Sequence, residues 1–174
     1  MTILTPAPAK VTERVMLDAL NIRYDKNPGN GPRYVRAEHV RDRIGFDARR
    51  TVDYIALDLA GTNYGPLISR GPFLHGHEVK VSRADWLTEL RDSTKAEAFK
   101  QHMHFWWLVI SDKSFVRPGE LPEGWGLMSL QGAGLRVVVQ APKLIPIPMT
   151  PDQYGALLRA TAKTAHRIGS AATA

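Results

Sequence analysis

Hydrophobic and polar positions along this chain change period several times, and each change marks an element. In "VTERVMLDALNIRY" (11–24), Val11, Val15, Leu17 and Leu20 recur near helical spacing behind Thr12, whose hydroxyl suits an N-cap. "DKNPGNGP" (25–32) is made of turn residues. "RYVRAEHVRDRIGF" (33–46) again spaces Tyr34, Val35 and Val40 like a helix and stops at Gly45, so a second helix is expected. The period then falls to two. "VDYIALDL" (52–59) and "LHGHEVKV" (74–81) read as strands on either side of "AGTNYGPLISRGP", a connection punctuated by glycine and proline.

At Ser82 the pattern turns helical. Ser82 and Asp85 stand at capping-box spacing, Trp86, Leu87 and Leu90 supply an apolar stripe, and Thr94 with Glu97 opens another helical turn. "HFWWLVIS" (104–111) is aromatic and β-branched, as an interior strand would be. "RPGELPEGWG" reads as a loop, "GLMSLQGAGLRVVVQAP" as two strands around a glycine turn, and "PKLIPIPM" as extended chain. Thr150 at N-cap and Pro151 at N1 begin a C-terminal helix. The predicted order is helix, helix, strand, strand, helix, strand, strand, strand, helix. That is an α/β (α+β) chain with a mixed central β-sheet flanked by helices. Residues 1–10 read as a flexible arm, 11–149 as the domain, and 150–174 as a helix and tail packed on it or extending it.

Composition narrows the class. The 174 residues make one ordinary domain, and 44% hydrophobic against 23% charged residues excludes a disordered chain. Without cysteine there are no disulfides, thiolate zinc sites or thiol nucleophiles, which fits a reducing compartment. No apolar run approaches the roughly 20 residues of a membrane span, so no membrane role is expected. "MTILTPAPAK" also lacks a signal-peptide core. The net charge of +6 points to an anionic partner, most simply nucleic acid.

The candidate chemistry lies in the strands. Side chains alternate, so Glu78 and Lys80 share a face, while Val79 and Val81 face the opposite way. Asp53 and Asp58 are an odd number apart and leave their strand on opposite faces. Asp53, where its strand begins and a carboxylate stays hydrated, is the better partner for Glu78. An Asp and a Glu from adjacent strands, with a backbone carbonyl such as that of Val79, make a hard oxygen site suited to Mg²⁺ or Mn²⁺. A metal there lowers the pKa of a bound water and neutralises phosphodiester charge, and a lysine beside it stabilises what develops.

The pattern Asp53…Glu78-Val79-Lys80, set out as strand, hairpin, strand and then helix, resembles the PD-(D/E)XK nuclease superfamily. The longer string "HGHEVKVSRADWLTELRDSTKAEAF", followed by "HFWWLVIS" and "LPEGWGLMSL", is similar to its MmcB-type DNA-repair branch and bacteriophage-encoded relatives. The likeness runs from about residue 33 to 144. It implies a restriction-endonuclease-like fold and Mg²⁺- or Mn²⁺-dependent cleavage of DNA in repair, recombination or phage DNA metabolism. The setting would be the cytoplasm of a bacterial or phage-infected cell. It further implies Asp53 and Glu78 as metal ligands, Lys80 as the catalytic lysine, and Glu38, on the expected second helix, as a further catalytic acid. Val52 stands where the superfamily commonly has proline. Some superfamily members bind DNA without cutting it, so a DNA-binding module is an alternative. A homodimer or a repair or replication protein as partner is left open.

Other residues are candidates for DNA contact. Arg33, Arg36, Arg41, Arg43, Arg49 and Arg50 crowd the segment before Asp53, and of these Arg33, Arg36, Arg49 and Arg50 are the expected phosphate contacts. Ser82 and Arg83, at a helix N-terminus, are candidates too. Arg159, Lys163, His166 and Arg167 form a basic helix face. Trp106 and Trp107 read as core. His75, His77, His102 and His104 cluster in sequence, so a His-centred Zn²⁺ or Ni²⁺ protein is a third reading.

Overall fold

Six strands form one sheet in chain order: β1 (Tyr34–Arg41), β2 (Thr51–Asp58), β3 (Phe73–Lys80), β4 (Phe105–Ile110), β5 (Trp125–Gln131) and β6 (Gly134–Val139). The computed structural model describes residues 10–29, 31–60, 71–92 and 94–173. Nearly all of the expected N-terminal arm and most of the connection after β2 lie outside them. β1, β2 and β3 are antiparallel neighbours, β3–β4 and β4–β5 are parallel, and β5–β6 is an antiparallel hairpin. Parallel partners need a long crossover. Between β3 and β4 it is supplied by α2 (Arg83–Arg91) and α3 (Thr94–Lys100).

Across its central strands the sheet is buried on both faces. On one, α1 (Glu13–Arg23) sets Met16, Leu17 and Leu20 against Tyr54, Val79, Trp107 and Val109. On the other, Trp86, Phe99 and Ala160 pack with Ile55, Trp106, Leu108 and Ile110, drawing on α2, α3 and α4 (Pro151–Ala172). Trp106 and Trp107 are core, as expected, and they explain two glycines. A Cβ at Gly76 would lie 2.4 Å from the Trp106 ring, and one at Gly126 2.5 Å from the Trp107 ring.

The caps follow the sequence. Thr12, Ser82 and Thr150 each accept the amide three residues on, and Thr150 with Gln153 completes a capping box behind Pro151. The α1 stripe is rotated slightly from the expected one, since Val15 is exposed and Met16 buried.

The expected helix over 33–46 is corrected by the structure: Tyr34–Arg41 is strand β1. A strand flanked by helices ordinarily shows apolar alternation, but here the inward polar residues are absorbed by ion pairs. Glu38 is buried and receives cations from α1 and α4. Arg36 donates to the Asn21 carbonyl at 2.9 Å and pairs with Asp25 at 3.5 Å. The tertiary partners hide the period of two. α4 also covers the free edge of β1, where the Glu38 N–H donates to Thr164 Oγ1 at 2.9 Å.

Alternation breaks at one level of β1 and β2. Ala37 and Val40, three apart, join one core cluster, as do Val52 and Ile55. His39 lies between the first pair with φ of 50°, a left-handed conformation costing a non-glycine residue roughly 1–2 kcal/mol. Asp53 lies between the second pair. The break leaves the His39 and Asp53 side chains beside each other, with ligand atoms within 4.8 Å.

Candidate active site

β2 and β3 pair from Asp58↔Phe73 to Tyr54↔His77. Beyond that point the Val79 N–H donates to Asp53 Oδ2 at 2.7 Å, so a carboxylate takes an amide at the place where the ladder ends. Val79 thus enters the site through its N–H, where the sequence led us to expect its carbonyl. Glu78 and Lys80 lie opposite Leu108 and Ile110, on the face covered by α2, α3 and α4. Lys80 Nζ donates to Glu78 Oε1 at 2.8 Å and pairs with Glu89 Oε2 at 3.0 Å. The structure therefore brings Asp53, Glu78 and Lys80 together and adds Glu89 from α2. Asp53, Lys80 and Glu89 border a cleft of about 600 Å³ that Glu13, Asp85 and Thr88 also line.

Three carboxylates and one lysine leave the site short of positive charge. Burial pushes both Asp53 and Glu78 above the usual carboxylate range, and Asp53 beside it helps drive Glu78 up to about 8. For Lys80, burial works against the charge, but Glu78, Glu89 and Asp53 outweigh it and hold the ammonium protonated. Among the described residues Glu89 Oε1 is buried without a hydrogen-bond partner, which costs free energy unless something else meets it.

These features fit a divalent cation. The carboxylate oxygens suit Mg²⁺. Alongside them, Glu13, His39 and Asp53 each offer a ligand atom within 4.8 Å of one another, a mixed N/O set that Mn²⁺ also accepts. Strain held at His39 beside such a group is common at functional sites.

Glu38 is elsewhere, and on a strand rather than a helix. Its two oxygens accept Arg14 at 2.7 and 2.8 Å, Asn21 at 2.6 Å and Arg167. Burial disfavours its charge, but these donors prevail and hold it at about 2. It ties α1 and α4 to β1. Asp58 lies on the α1 face, as expected, and pairs with Arg33 at 2.7 Å.

Most of the expected DNA-contacting residues have intramolecular partners. Arg33 holds Asp58, Arg36 holds α1, and Arg83 makes a two-pronged pair with Glu120. Ser82 caps α2. Arg50 donates to the Thr94 carbonyl at 2.8 Å, and Arg49 is exposed.

The histidines do not converge. Burial holds His75 down at about 4 and His77 well below its usual value. Trp107 Nε1–H donates to His75 Nδ1, and His77 Nε2 meets the Tyr24 hydroxyl at 2.8 Å. His102 bonds Gln153 and His104 accepts the Leu74 amide.

Sequence reading missed Glu89, Glu13 and His39. Glu89 stands three residues after Trp86, on the buried side of α2, and a carboxylate on an apolar stripe is the signal that could have found it.

No protein-family model matches the chain, and no curated protein matches it. Among solved structures, a protein of unknown function from Silicibacter pomeroyi is similar over 97% of this chain and 94% of its own, with a TM-score of 0.55 and 18% identity. That likeness is one of fold.

Proposed function

We propose that this protein is a divalent-metal-dependent nuclease acting on DNA, of the PD-(D/E)XK type that its motif resembles. One observation carries the reading: Asp53, Glu78 and Lys80 meet where the β2–β3 ladder ends, beside a cleft with an unsatisfied Glu89 oxygen. Asp53 and Glu78 would hold the cation, with Glu13, His39 and Glu89 at hand. Bound there, Mg²⁺ or Mn²⁺ supplies charge neutralisation and makes water a nucleophile near neutral pH.

The chain's own groups do the rest. Val79 fixes the Asp53 carboxylate through its amide. Lys80, kept protonated, acts as a cation toward a non-bridging phosphate oxygen rather than as a base. Glu89 positions Lys80 from α2. The test is incubation of purified protein with single-stranded, duplex and branched DNA in Mg²⁺, Mn²⁺ or EDTA, beside Glu78→Gln. Metal-dependent cleavage lost in the variant supports the reading. DNA binding with no cleavage in either metal would replace it with a binding module.

A further inference from the structure

The cleft is lined by five carboxylates against three cations, Lys80, Arg91 and Lys95, so the chain's positive excess gathers elsewhere. A pocket of about 310 Å³ between β1 and α4 is lined by Arg41, Arg43, Arg159, Lys163 and Arg167, with one carboxylate, Glu38. Glu38 is already neutralised by Arg14 and Arg167. Among the described residues, the side chains of Arg43, Arg159 and Lys163 have no hydrogen-bond or ion-pair partner.

The arrangement is unfavourable by itself. Arg159, Lys163 and Arg167 follow each other at intervals of four on α4, and like charges at that spacing destabilise a helix. Ala156, Ala160 and Thr164 are buried between this row and β1, leaving the cations on the pocket rim. An anion would relieve the repulsion.

Position identifies the anion. His39 lines this pocket and also lies with Asp53, which lines the cleft, so the two concavities share a border. We propose that the β1–α4 pocket seats a backbone phosphate of the nucleic-acid strand whose neighbouring phosphodiester lies in the cleft. This rests on the nucleic-acid reading above. It places the phosphate contacts on Arg43, Arg159 and Lys163 rather than on Arg33 and Arg36.

The test is fluorescence anisotropy of a fluorescein-labelled single-stranded oligonucleotide in EDTA over a salt series. Wild type is compared with Arg43→Ala/Arg159→Ala/Lys163→Ala and with a control, Lys113→Ala/Arg136→Ala, whose cations line a concavity beside β5 and β6. The triple variant should bind at least about tenfold more weakly, with a log–log salt slope lower by about 2. The milder Lys163→Gln should lower it by about 0.7. An unchanged slope, an equal loss in the control, or binding of pyrophosphate but not of the oligonucleotide overturns the proposal. Its failure is distinct from that of the nuclease reading. Pocket-dependent binding without cleavage sinks the nuclease alone, and Mg²⁺-dependent cleavage with pocket-independent binding sinks the pocket alone.

Discussion

Glu38 and Glu78 are both carboxylates on strands of one sheet, and both are largely withdrawn from water. Their neighbours treat them in opposite ways. Glu38 receives two arginines and an asparagine from α1 and α4, and its pKa falls to about 2. Glu78 shares one lysine with Asp53 and Glu89, and its pKa rises to about 8. A buried acid whose partners are complete holds the fold together. One whose partners fall short is poised to take a cation or a proton. Identity and burial are alike, so the surplus or deficit of positive charge separates the roles.

The largest effect that could break this contrast is on cleavage. Glu78→Gln should lower metal-dependent turnover by about a thousandfold or more, a loss of roughly 4 kcal/mol in transition-state stabilisation. Glu38→Gln should leave turnover per folded molecule within a few-fold of wild type. Equal losses would mean that Glu38 serves the chemistry after all.

Stability should rank them the other way. Glu38→Ala is expected to cost about 2–3 kcal/mol in urea denaturation. That is less than for a fully enclosed pair, because Arg14 and Arg167 are 40% and 38% exposed and can turn to water. Glu78→Gln should be neutral or stabilising without metal, since it removes repulsion from Asp53 and Glu89. Asp58→Asn, which loosens the Arg33 pair on the opposite face, should cost about 1–2 kcal/mol and spare cleavage. A large cleavage loss in Asp58→Asn would move the reactive face to the α1 side.

How far the sequence carried this contrast depends on where the deciding partners come from. β2, β3, β4, the β5–β6 hairpin and α4 were legible because their periods and caps are local. The face shared by Glu78 and Lys80 was legible too, because alternation alone sets it. β1 was misread as helix because its polar inward residues answer to partners on α1 and α4, 15 to 129 residues away, beyond the reach of local periodicity. Glu38 could pass for a reactive acid until Arg14 and Arg167, 24 and 129 residues away, were seen to complete it. Arg83 similarly answers to Glu120, 37 residues on. The left-handed backbone at His39 leaves no mark on the sequence, and Glu13 passes for an ordinary first-turn acid. Local geometry was readable, while charge balance required the assembled chain.

The effect most direct on charge balance, and the smallest per pH unit, is pH dependence of stability without metal. Glu78 ionises at about 8 when folded and near its ordinary 4.5 when unfolded. Between those values the folded state binds more protons at Glu78, so its contribution falls as pH rises. The buried His75 and His77, held below their usual range, work the other way below about 6.5, so the fall in stability should be seen from pH 6.5 to 8. Glu38 ionises at about 2 when folded against 4.5 unfolded. Here the unfolded state binds more protons, so its contribution is present above pH 4.5 and is lost as pH falls toward 2. Each slope is limited to about 1.4 kcal/mol per pH unit. Urea denaturation in EDTA across the range should show both limbs. Glu78→Gln should flatten only the upper limb and Glu38→Gln only the acid limb. Adding Mn²⁺ should raise Tm more at pH 8 than at pH 6, because the cation competes with the proton that Glu78 keeps at the lower pH. A Tm gain independent of pH, or one that persists in Glu78→Gln, would place the cation away from this carboxylate and undo the contrast with Glu38.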